Sequence, residues 1–151
     1  MLRMSKLTDY GTMVLAELAT NDHGLSTASQ LADATHLALP TVSKLLKSLA
    51  HSGLVVSARG VQGGYALARS PATISAAEIL DALEGPVALT DCSSSTSVCD
   101  LESYCRVGTA WQRINLSIRK ALEGVSLADL QIRREPLPSL HSDLRKIAAT
   151  P

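Results

Sequence analysis

Residues 39–69 constrain the fold more tightly than any other part of the chain, because a proline-started helical pattern there runs into two short β-forming runs split by glycines. In "LPTVSKLLKSLAHSG", Pro40 stands near a first helical position and Gly53 where a helix stops. Val42, Leu45, Leu46 and Leu49 recur at helical spacing and form an inner stripe, which turns Thr41, Ser43, Lys44, Lys47 and Ser48 outward. "LVVSA" and "YALA" then read as strands. The residues between them, "RGVQGG", hold three glycines in five positions. Gly63 and Gly64 are expected to supply positive φ and a close backbone approach.

Two helical patterns come before this unit. "KLTDYGTMVLAEL" is expected to open on Thr8 as N-cap, with Asp9 in the first turn, where the helix dipole favours an acid. Leu7, Gly11, Val14, Leu15 and Leu18 fall on its inner face. "STASQLADAT" follows as a short helix capped by Ser26 or Thr27, with Ala28, Leu31 and Ala32 inward. Aromatics make up only 3% of the chain and Phe is absent, so Leu, Ala, Val and Ile must build the core. Helix, helix, proline-started helix and hairpin in that order give a mainly α chain with a winged helix-turn-helix and a two-stranded wing.

Charge distribution adds to this. The net charge is zero, yet from Ala34 to Ala77 there are four cations (Lys44, Lys47, Arg59, Arg69) and no acid. From Glu78 to Glu102 there are six acids and no Lys or Arg. The basic stretch is suited to meet an anion. The third helix would enter a major groove, with Pro40, Thr41, Ser43, Lys44 and Lys47 on its contacting side. Arg59 and Gly60 at the wing would reach a minor groove, and Arg69 a phosphate. The competing reading is a helical domain with an incidental hairpin and a solvated basic face.

After Pro71, "TISAAEILDALEG" reads as a helix ending at Gly85 with Ile74, Ala77, Leu80 and Leu83 inward. It leads into "VALTDCSSSTSVCDLESYCRVG", where Cys92, Cys99 and Cys105 stand among serines and acids. Such a segment has no apolar reason to hold three thiols. Structural zinc favours tighter pairs than these. A thiol switch needs two cysteines that can approach one another. An iron–sulfur cluster takes thiolates at wider spacings, with three plus one other ligand sufficing. Three unliganded thiols are the remaining alternative.

The chain resembles the small winged-helix regulators that carry iron–sulfur clusters, typified by IscR and NsrR. The resemblance rests on "LTDYG", "LVVSARGVQGGYALAR", "ISAAEILDALEG" and the three cysteines ahead of a long helix, and it runs from Met1 to about Leu130. The opening "MLRMSKLTDYGTMVLAEL" looks most like the branch that regulates SUF-type cluster assembly. The resemblance implies a cluster, two-iron or four-iron, on Cys92, Cys99 and Cys105. IscR-like members take a fourth ligand from a histidine three positions after the last cysteine, and here Gly108 stands there. NsrR-like members use an aspartate of the first helix from the other subunit, the position matched by Asp9, with Glu102, Asp91 and Asp100 as alternative ligands.

The resemblance also implies a homodimer through the helix from about Tyr104 to Glu123. There Val107, Trp111, Ile114, Ile118, Leu122 and Val125 recur at steps of three and four. The expected organisation is a DNA-binding domain over 1–85, a cysteine loop over 86–103, a dimerisation helix and a short helix over 104–130, and a loosely ordered tail over 131–151. The four histidines (His23, His36, His51, His141) are scattered and no nucleophile has an evident base, so an enzyme with a small-molecule substrate is not expected. No run is long enough to span a membrane and no signal-peptide core opens the chain, so a cytoplasmic location is expected. The expected partners are double-stranded operator DNA and a second copy of the chain. The rival reading is a redox protein that binds no DNA.

Overall fold

The computed structural model of the chain describes residues 4–21, 24–90, 93 and 104–131. Cys92, Cys99 and the expected tail beyond Gln131 lie outside them. The described elements are mainly helical: α1 (Lys6–Thr20), α2 (Ala28–Thr35), α3 (Leu39–His51), β1 (Val55–Ala58), β2 (Gly64–Leu67), a 3-10 turn (Pro71–Thr73), α4 (Ala76–Leu83), α5 (Gly108–Glu123) and α6 (Leu127–Leu130).

Helix α1 begins earlier than Thr8. Ser5 is its N-cap and accepts from the Leu7 amide at 3.2 Å. Two hydroxyls compete for that task, and Thr8 lies on the inner face, 3% exposed, with its hydroxyl donating to the Glu84 carboxylate. Ser5 lies outside the core and can turn back on the helix end. Helix α2 is closed by a reciprocal capping box between Thr27 and Gln30. Helix α3 carries Pro40 in its first turn and ends before Gly53, whose φ of 74° no side chain favours.

The core gathers α1, α2 and α3 with the base of the wing. Val14, Leu15, Leu31, Val42, Leu45, Leu46 and Leu49 are all at most 1% exposed, and Ile74 and Leu127 join them. Leu7, expected inward, is 36% exposed, because the earlier start of α1 places it on the rim.

Strands β1 and β2 pair antiparallel from Val55–Leu67 to Ala58–Gly64. Ser26 adds a bridge on the far side of β2, its amide donating to Tyr65 at 2.9 Å and its carbonyl accepting from Tyr65 at 2.8 Å. The glycines divide their labour differently from expectation. The positive φ falls at Gly60, at 115°, and not at Gly63 or Gly64. A Cβ on Gly63 would stand 2.4 Å from the Ala58 carbonyl oxygen, and one on Gly64 2.8 Å from that of Ser26. The hairpin turns back over 63 and 64 with so little clearance that close approach, rather than φ, demands glycine there.

Helix α4 is capped by a Ser75–Glu78 box and stopped by Gly85, φ 89°. Helix α5 starts at Gly108 rather than Tyr104. Val107 at its cap makes no side-chain cap bond and is 57% exposed, so neither capping nor packing extends the helix backwards. Beyond α5 the chain returns to α4: Ala76 donates to Val125 at 2.8 Å and Leu127 to Ile74 at 2.7 Å. No helix among the described residues is long and apolar enough to cross a membrane.

Candidate nucleic-acid interface and cysteine segment

Helix α3 buries Val42, Leu45, Leu46 and Leu49 and leaves Pro40, Lys44, Lys47 and His51 exposed, with Thr41, Ser43 and Ser48 half-buried beside them. Steps of four and three residues put the exposed set on one stripe, so the helix presents two ammonium groups among small polar side chains. Among the described residues no ion pair engages Lys44, Lys47 or Arg59. Arg59, Gly60, Val61 and Gln62 are exposed at the wing turn. This is the shape and charge that a major groove and its flanking phosphates require. Arg69 behaves differently. Its guanidinium pairs with Glu78, whose carboxylate also accepts from Ser75. The Ser75 bonds, with Arg69 adding to them, hold the Glu78 carboxyl below its ordinary range against the opposing effect of burial.

Of the expected cluster ligands, Cys105 and Asp9 are described. Both are exposed, Cys105 ahead of α5 and Asp9 in the first turn of α1. Among the described residues no group of three or more His, Cys, Asp or Glu is close enough to hold a metal ion.

Three attachments at this end of the molecule leave no trace in sequence spacing. Glu84 accepts from the Ser5 amide at 2.9 Å and from the Thr8 hydroxyl, and these donors hold its carboxyl below the ordinary range. Asn115, only 8% exposed, accepts from the Leu89 amide at 3.2 Å. Arg119 forks onto Asp81 at 2.8 and 3.2 Å and reaches Glu123 at 3.0 Å. Helix α5 nevertheless leaves Trp111, Ile114 and Leu116 between 41% and 56% exposed. Its Leu122 and the following Val125 line an apolar groove of about 700 Å³ with Met13, Ala16, Ile79 and Leu80.

Residues 4–132 match Rrf2, a family described as iron-dependent transcriptional regulators. The chain belongs to the Rrf2 family. Among its relatives is the Azotobacter vinelandii protein named HTH-type transcriptional regulator ORF2, 30% identical over 135 residues, which are 89% of this chain and 82% of that one. The structure of CymR, the global cysteine regulator of B. subtilis, is 30% identical with a TM-score of 0.68, covering 87% of this chain and 97% of that one. The T. potens IscR structure is 26% identical with a TM-score of 0.64, covering 99% and 93%. The winged helix-turn-helix expected from residues 1–85 is thus the fold of an Rrf2 transcriptional regulator, and these matches are regulators rather than enzymes.

Proposed function

We propose that this Rrf2 protein is a homodimeric repressor that binds operator DNA through α3 and the wing and responds to an iron–sulfur cluster on Cys92, Cys99 and Cys105. The observation that carries the reading is the placement of a thiol outside any core. Cys105 is exposed and free of disulfides, and Cys92 and Cys99 precede it by thirteen and six positions in a polar segment. That donor chemistry fits a cluster, two-iron or four-iron, and would leave one coordination position for a non-thiol group. Asp9 of a second copy supplies it, a carboxylate being a more exchangeable ligand for iron than a thiolate. When bound, the cluster supplies a centre whose ligation responds to iron supply and oxidants.

The chain's own residues do the rest. Lys44 and Lys47 meet phosphates or base edges, Thr41 and Ser43 base edges, and Pro40 starts the helix that carries them. Arg59 beside Gly60 enters the minor groove, and Arg69 meets a phosphate when it leaves Glu78. Two such units read two half-sites, and the stripe of Val107, Trp111, Ile114, Ile118, Leu122 and Val125 joins them. The likeness of the opening residues to SUF-type regulators supports cluster-assembly genes as targets.

Anaerobically purified protein should be coloured and contain iron and acid-labile sulfide, and should retard a duplex at low salt. Zinc at full occupancy with no sulfide after reconstitution would remove the cluster, and no duplex binding would leave the rival redox protein. A second reading is a thiol switch, favoured by the 30% identity to a structure described as a global cysteine regulator. It requires iron-free protein to change its DNA affinity on oxidation and recover it with dithiothreitol.

A further inference from the structure

The stretch that leads from α4 towards Cys92 is held at two points belonging to different parts of the molecule. At the first, Glu84 takes the Ser5 amide and the Thr8 hydroxyl, which ties the end of α4 to the first turn of α1. At the second, five residues later, the Leu89 amide donates to Asn115 Oδ1 on α5. Between them Pro86, Val87 and Ala88 border an apolar cleft of about 400 Å³ closed by Leu80, Ile118 and Leu122. Cys92 follows Leu89 by three positions.

Asn115 is out of place by packing alone. With Gly108 it is one of two buried residues of α5, and its partner Leu89 lines the apolar cleft. A buried amide is costly unless its polar atoms are matched, whereas a leucine of similar volume would carry no such cost. What the amide adds is register: it selects which backbone N–H of the incoming segment meets α5, as a buried asparagine selects register in a coiled coil. Displacing Leu89 while that bond holds must displace α5. Displacing residue 84 while Ser5 and Thr8 hold it must displace α1, on which Asp9 lies.

We propose that Asn115 and Glu84 are positioning residues through which a change in the cysteine segment reaches α5 and α1 together. The inference rests on the reading of that segment as the sensing element. Two measurements are needed, on the full-length protein and a duplex that the wild type selects from a random pool. One is the ratio of duplex affinities between metal-free reduced protein and protein reconstituted with ferrous iron and sulfide. The other is the ratio of N-ethylmaleimide alkylation rates of the thiols on metal-free protein with and without saturating duplex, which reads whether bound duplex alters access to the cysteines. The wild-type affinity ratio is expected within about 5- to 150-fold, and the alkylation ratio clearly away from one.

Asn115→Leu should bring both factors to within about twofold of one, with iron, sulfide and melting behaviour retained, and Asn115→Asp, which keeps an acceptor, should restore much of each. Wild-type factors that persist in Asn115→Leu overturn the inference and leave the sensor reading standing. If the wild type binds no cluster but alkylation responds to duplex and Asn115→Leu abolishes the response, the cluster reading fails and the inference stands. No coupling in either wild-type measurement overturns both. Should Asn115→Leu fail to fold, Glu84→Ala carries the same comparison from the other anchor.

Discussion

Replacing Gly64 by alanine tests how the wing is fixed to the helical core. The added Cβ would stand 2.8 Å from the Ser26 oxygen and 3.0 Å from both Ser26 C and Leu25 Cβ. Two of those three neighbours are backbone, so no side-chain rotation relieves the clash. Either the strand shifts as a unit, at the about 1–3 kcal/mol typical of overpacking, or the two Ser26–Tyr65 bonds open, at about 1 kcal/mol each. Both routes converge on about 2 kcal/mol, a fall in Tm of roughly 4–8 °C for a domain of this size. Duplex binding should weaken too, because Arg59 lies on the same hairpin. Gly124→Ala is the control: its nearest neighbours lie at 3.5 Å and its φ is −78°, so its effect should stay within about 0.5 kcal/mol. Calorimetric melting of the three proteins decides the matter. A Gly64→Ala melt indistinguishable from wild type would mean that the bridge from Ser26 does not hold the wing.

Lys44→Ala and Arg59→Ala should each cost about 1–3 kcal/mol of operator affinity; the first should lower the salt dependence of binding, and the second should relax preference for an A·T-rich minor groove. Unchanged titrations in both would take α3 and the wing out of the interface. Because its partners depress the Glu84 carboxyl, Glu84 contributes stability that is present above the ordinary carboxylate value and is lost as pH falls through its lowered folded value. Glu84→Gln should therefore be less stable than wild type near neutrality and converge with it in acid, and denaturation curves that stay parallel through the acid range would refute this. Asp9→Ala and Cys92→Ser homodimers should each hold impaired clusters, while a differently tagged heterodimer of the two should regain one good site, read as iron and sulfide per dimer. A stable cluster in Asp9→Ala would reduce Asp9 to a helix-start acid.

The elements legible in the sequence were those governed by local rules. Apolar spacing placed Val42, Leu45, Leu46 and Leu49 inside α3, and Gly53 and Gly85 marked helix ends because positive φ at a stop is a local demand. Where two candidates met the same local rule, tertiary contact decided. Thr8 lost the N-cap to Ser5 because Glu84, 76 positions away, engaged its hydroxyl. Gly60 took the positive φ because Gly63 and Gly64 were committed to backbone clearance against Ala58 and Ser26. The charge run suits Arg69 to a phosphate, and its pairing with Glu78 depends on the fold of the 3-10 turn between them. Asn115 gave no signal, since a lone amide in a helical pattern reads as a surface residue until its burial is seen.

The short bridge between Ser75 and Ser126 has an evolutionary consequence. It staples the chain where α4 begins to the point where α5 has ended, so everything from Ala76 to Val125 forms an excursion with a closed stem. Across such a stem, adding residues to a connection costs little, about 0.6 kcal/mol for each doubling of its length where it is flexible. The stem itself, closed by the fully buried Ile74 and Leu127, stays in place while the span changes length. On the proposed reading, the spacing of cysteines in the span is free to differ between chains that keep this stem.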